Sequence, residues 1–361
     1  MAFGRKAASV FVLLVMFCTG RPILCETAPA LAFSEIQKRR LSLPIYSFSG
    51  LAVSPSGSVY SAIHDERRVY VLTLPGGRVD NILLRDFPQE GSKWQLGPEV
   101  AGDRSGNLYV SGHSRKLSFR EEPSNSLLGV LVFRPDGRYS FTMHLTPSIE
   151  IKHMLVDDAG NLFVLGIDLN SLYHPLSPCL LVHKYSRQGT RSAAFSSCPA
   201  TEEARSVDES PGQLMLRREG TARAGQLFFY DGLLCHVLLS LRIIRMFESG
   251  GRLVRELRLE PPSSDVQPIM SNVRDEVAYV VVLQGGSFLV EWAHLEQTEF
   301  GPHRVFYLRI HDGAGRALTD TRIAPVPRSM LLYADQSDYI YFLGMPANSH
   351  QELIRTRLST H

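Results

Sequence analysis

Beyond residue 50 the chain is a succession of short apolar runs of Val, Leu, Ile, Tyr and Phe, each closed by a turn of Gly, Asp, Asn, Ser or Pro. Runs this short, rich in β-branched and aromatic residues and lacking helical spacing, predict strands. The runs recur as a unit. Leu51-Ala52-Val53 turns through Ser54–Gly57 into Ser58-Val59-Tyr60, and Asp103-Arg104-Ser105-Gly106 leads into Asn107-Leu108-Tyr109-Val110. Met154-Leu155-Val156 turns through Asp157–Gly160 into Asn161-Leu162-Phe163-Val164. Three further units are expected at Ala224–Phe228, Arg274–Tyr279 and Asp335–Tyr341.

Each unit also carries a second hairpin, turning at Pro75–Gly77, Pro135–Gly137, Gln188-Gly189, Gly250-Gly251 and Asp312–Gly315. Four strands per unit, repeated six times, predict an all-β fold: a six-bladed β-propeller of four-stranded antiparallel blades. The longer spacings in the second half leave a seventh blade open. The last unit offers one strand, Leu353–Leu358, after its inner pair. Residues 26–45 therefore read as a linker holding a ring-closing strand, Phe33–Leu43, ahead of a propeller domain over 46–361.

The segment Asp157–Val164, followed by a Lys184-Tyr185 strand and a Gln188-Gly189 turn, resembles an NHL-type blade. Asp103–Val110 with Val132–Gly137 is similar to it. The resemblance implies a six-bladed platform that binds proteins or small ligands, with some enzymes among its relatives.

Arg5 and Lys6 precede an apolar run from Ala7 to Cys18, which reads as a secretory signal peptide over residues 1–25 and an exported, secreted or periplasmic protein. Its removal takes away three basic residues and no acid, moving the formal charge from +2 to −1. A near-neutral mature chain gives no electrostatic case for nucleic acid, and no integral membrane segment follows the signal. Cys179 and Cys198 fall at the two ends of one hairpin and are expected to pair, while Cys235 reads as a buried apolar residue.

Function in a propeller is expected around the central channel, on the face where second strands end and first strands begin. There His64 and His113 hold equivalent positions of neighbouring blades, with Asp168 near the matching position of the next. Two His and an Asp could hold a divalent metal or move protons near neutral pH. Glu90, Lys93 and Trp94 lead into unit two and Glu150 into unit three; Trp94 could stack on a ligand. The expectation is an exported, monomeric binding or scaffold propeller presenting this face to a protein or small ligand, with no chemistry evident. The alternative is a metal-dependent hydrolase or lyase. Propeller lactonases resemble the chain in architecture, but the corresponding opening here, Phe48-Ser49-Gly50-Leu51, carries no carboxylate.

Overall fold

The structure is a computed structural model. It describes residues 31–41, 52–53, 57–63, 67–74, 78–87, 94–114, 128–147, 149–168, 178–198, 225–262, 276–298, 301–319, 322–323, 329–335, 337, 339–344 and 351–360. The signal-peptide segment, His64, Glu90 and Lys93 lie outside them.

Blade one is β2 (Ala52–Val53), β3 (Ser58–Ile63), β4 (Arg68–Thr73) and β5 (Arg78–Leu83); blade two is β6 (Trp94–Gly102), β7 (Leu108–Ser114), β8 (Leu128–Phe133) and β9 (Tyr139–His144). Blade three is β10 (Ile149–Val156), β11 (Leu162–Asp168), β12 (Leu180–Tyr185) and β13 (Arg191–Ser197). Blade four is β14 (Gly225–Tyr230), β15 (Leu233–Leu238), β16 (Ile243–Phe247) and β17 (Leu253–Arg258). Blade five is β18 (Glu276–Val282), β19 (Phe288–Thr298), β20 (Gly301–His311) and β21 (Arg322–Ile323). Blade six is β22 (Ser329–Ala334), β23 (Tyr339–Gly344) and β24 (Glu352–Thr360), with β1 (Leu31–Arg40) as its outermost strand. Phe33 stands opposite Leu358, and Arg39 opposite Leu353. The ring is therefore joined by backbone hydrogen bonds between the two ends of the chain.

The core is six separate layers, each between successive blades. Tyr60 and Val69 of blade one pack with Leu108 and Leu131 of blade two, and Phe163 and Leu181 of blade three with Leu227 and Leu234 of blade four. The last layer sets Tyr341 and Leu353 of blade six against Val59 and Leu72 of blade one. No blade buries both of its faces without its neighbours, so stability depends on a complete ring.

The turns show why Asp opens them. Asp157 Oδ1 accepts the backbone N–H groups of Ala159 (3.0 Å) and Asn161 (2.8 Å), and its Oδ2 accepts from Asn161 Nδ2 at 2.8 Å. Asp103 does the same with Ser105 and Asn107. The carboxylate thus serves donors that the hairpin leaves unpaired.

Blades four and five correct the sequence-based assignment by one strand. Gly225–Tyr230 is the first strand of blade four rather than a turn and second strand, and the turn is Asp231-Gly232. In blade five Glu276–Val282 is likewise the first strand, and the turn runs through Gly285 and Gly286.

Cys179 and Cys198 are joined by a disulfide, with Cα atoms 5.3 Å apart, and Cys198 N donates to Cys179 O at 2.8 Å. The bridge closes a loop of 19 residues. Replacing both cysteines by Ser is expected to lower the unfolding free energy by about 2–4 kcal/mol. Guanidinium unfolding of the parent and the double variant, each with and without dithiothreitol, checks it: only the parent should respond to the reductant.

Candidate functional site in the central channel

The ends of the second strands and the starts of the first were expected to carry function, but their described residues are mostly committed within the blades. Trp94 is buried, and its indole lies over the cross-strand pair Gly112–Gly129: a Cβ at Gly112 would come within 3.2 Å of it, and one at Gly129 within 3.0 Å. Trp94 is therefore a core residue of blade two, not a stacking platform at the channel mouth; its ring faces His144 at 5.9 Å. Asp168 is buried and accepts from Arg191 Nη1 at 2.7 Å, so its carboxylate is tied into blade three. The same guanidinium approaches His183 Nδ1 at 3.4 Å.

Glu150 is ion-paired with Lys152 on its own strand. His113 is half-buried at the end of β7, opposite Gln95, and desolvation lowers its pKa. Among the described residues no group of three His, Cys, Asp or Glu is placed to hold a metal.

Close by, Glu99 of β6 is largely buried and accepts from Ser111 Oγ at 2.7 Å. Burial raises its pKa, with the Ser111 hydrogen bond and the charge of Lys152 pulling the other way.

The space in the ring lies further along, at the middle and far half of the first strands. A cavity of about 230 Å³ is bounded by five of the six: Val53 from β2; His153 and Leu155 from β10; Gln226–Phe229 from β14; Tyr279–Val282 from β18; and Leu332–Ala334 from β22. Bulges interrupt β10 between Ile151 and His153, β18 between Val277 and Tyr279, and β22 between Leu331 and Tyr333. A bulge bends a strand and re-aims the side chains beyond it, and each of these is followed at once by a residue of the cavity wall.

Polar groups in and behind this wall divide into those already paired and those that are not. Gln226 reaches the next blade, donating from Nε2 to Val280 O at 2.9 Å and accepting at Oε1 from Val280 N at 3.1 Å. Glu291 stands opposite Tyr279 and accepts from Leu331 N at 3.2 Å, linking blade five to blade six. Burial pushes the Glu291 carboxyl up to about 8, and the Leu331 N–H opposes this only in part. The Tyr279 hydroxyl is pushed upward by burial and then by the Glu291 charge.

His153 differs from these. Its Nδ1 is buried without a partner, while burial takes the ring's pKa down to about 4, so the imidazole is neutral at physiological pH. Sequence reasoning searched strand ends and so passed over these residues. Their signal was a polar residue set against an apolar run: His153 before Met154-Leu155-Val156, Gln226 before Leu227-Phe228-Phe229, and Glu291 between Val290 and Trp292.

No known family pattern matches the chain, and no curated protein sequence does. Among solved structures, a member of the DUF4221 family from Bacteroides vulgatus is similar over 93% of this chain and 99% of its own, at 7% identity and a TM-score of 0.54. Virginiamycin B lyase from Staphylococcus aureus matches 91% of this chain and 100% of its own at 11% identity and a TM-score of 0.44. A gluconolactonase from Xanthomonas campestris matches 91% and 96% at 13% identity and 0.45. At 7% identity the likeness to the first of these concerns the fold alone, and the six four-stranded blades are seen in this chain itself.

Proposed function

We propose that the chain is exported through its N-terminal signal peptide and acts as a binding propeller whose ligand seat is the central channel. The observation that carries this is the cavity walled by first strands of five blades. Such a site exists only in the closed ring, and its rigid walls limit the ordering cost of binding. Export is supported by the charged and apolar leader and by the Cys179–Cys198 disulfide, which suits an oxidising compartment. The alternative, a metal-dependent hydrolase or lyase, draws on His64, His113 and Asp168, and Asp168 is already held by Arg191.

Native mass spectrometry of protein recovered from the exported fraction tests both parts. The expected species is a chain shortened by about the length of a signal peptide, carrying one small molecule. A Val282→Trp variant, which fills the cavity, is expected to carry none. An uncleaved chain retained in the cytoplasm would overturn export. A bare parent protein, or equal loading of parent and variant, would overturn the channel seat.

A further inference from the structure

The wall of the cavity specifies the chemistry of its occupant, on the footing that the channel is the seat. Among the described residues that line it there is no Asp, Glu, Lys or Arg. Among these residues the one imidazole, His153, is held neutral, and the Gln226 amide is spent on Val280. An ion entering this space would lose its hydration with no countercharge to replace it, so the site selects against charge.

Size narrows the class further. A dry apolar cavity of about 150 Å³ is enough for benzene, whereas pockets for drug-sized ligands begin near 300 Å³. At about 230 Å³ the channel suits a single substituted ring or a small fused pair. Phe228, Tyr279 and Tyr333, from three different blades, provide aromatic surface for such a ring.

One buried polar atom of the lining residues has no partner. Buried polar atoms nearly always have partners, and the Nδ1 of His153, in the cavity wall, has none. A hydroxyl brought in beside the imidazole would supply one, with the ring turning about its Cβ–Cγ bond to present that nitrogen. We propose that the channel binds a small neutral aromatic alcohol, its ring held by the aromatic wall and its hydroxyl hydrogen-bonded to His153.

Calorimetric titration of the full mature protein at pH 7 with phenol, toluene and benzoate tests this. Phenol is expected to bind about tenfold more tightly than toluene, the worth of one net hydrogen bond, and benzoate not to bind. His153→Phe should abolish the preference for phenol while retaining toluene binding, which also shows that the variant is folded. Equal binding of phenol and toluene by the parent, or preferred binding of benzoate, would overturn the assignment of ligand class and leave the channel seat standing. Binding of none of the three would overturn the ligand class, and binding that Val282→Trp leaves unchanged would overturn the channel seat as well.

Discussion

Replacing Gly137 by Ala is expected to destabilise the protein by about 3–5 kcal/mol, whereas the same change at Gly160 should cost about 1 kcal/mol. The two glycines share a backbone conformation, with φ of +81° and +78°, so the strain of placing a side chain there is common to both. Their surroundings differ. A Cβ at Gly160 meets nothing within 4 Å, while one at Gly137 would lie 2.2 Å from the carbonyl oxygen of Leu83 and 2.9 Å from Ile82 Cγ2. Neither backbone can easily yield, because Arg85 N donates to Gly137 O at 2.8 Å and Tyr139 N donates to Arg85 O at 3.0 Å. The clash falls on a seam where blade two docks on the chain leaving blade one. Thermal unfolding of both variants reads the contrast directly, as a drop in midpoint of roughly 6 °C against roughly 1.5 °C. Equal drops would show that the seam does not constrain the turn.

The same device recurs around the ring. Glycines at the turn before the outer strand lie close against the preceding blade: a Cβ at Gly189 would come 2.6 Å from His144 O, and one at Gly315 2.4 Å from Arg258 O. These glycines were legible in the sequence as turn residues, because a tight turn needs positive φ. Their second purpose was not, since it depends on which strand lies outside the blade before them.

Blades one, two, three and six were legible for a related reason. In two and three the Asp that opens the turn and the Asn that closes it bond each other, a signal local in the sequence; in six, Asp335 accepts from Ser337 N and Tyr339 N. Blade four turns through two residues, Asp231 and Gly232, at φ of +49° and +72°. Apolar runs stand on both sides of that turn. With similar strands before and after, periodicity cannot say which is first, and the assignment slipped by one strand.

The candidate site was less legible still. Ends of strands are where loops carry function, so His113, Trp94, Glu150 and Asp168 drew attention. Burial by Gly112 and Gly129 in the case of Trp94, and an ion pair from β13 in the case of Asp168, are non-local facts. The channel wall is assembled from single positions on separate blades, and only ring closure brings them together.

A Glu291→Gln variant is expected to be more stable than the parent at pH 8 by up to about 4 kcal/mol, and to lie within about 1 kcal/mol of it at pH 5. Gln reproduces the shape of the neutral acid and keeps an oxygen for Leu331 N, so the two proteins differ mainly in the capacity to ionise. In the folded parent the carboxyl titrates at about 8 against 4.5 when exposed. Below 4.5 both folded and unfolded chains hold the proton, and Glu291 costs nothing. Between 4.5 and about 8 the unfolded chain has released the proton and the folded one has not. Folding then requires proton uptake, and stability falls by about 1.4 kcal/mol for each pH unit gained. Above 8 the folded carboxyl ionises too, and the penalty levels off. The gap between parent and variant should therefore open as pH rises through this window and close as it falls. Urea unfolding of both proteins at half-unit steps from pH 5 to 9 measures it. The difference isolates Glu291 because every other titrating group is common to both. A gap that stays constant with pH would mean that the carboxylate finds a solvated or cation-paired place in the folded ring. A widening gap would show that the wall between blades five and six, behind Tyr279, keeps a neutral acid there, as an uncharged channel requires.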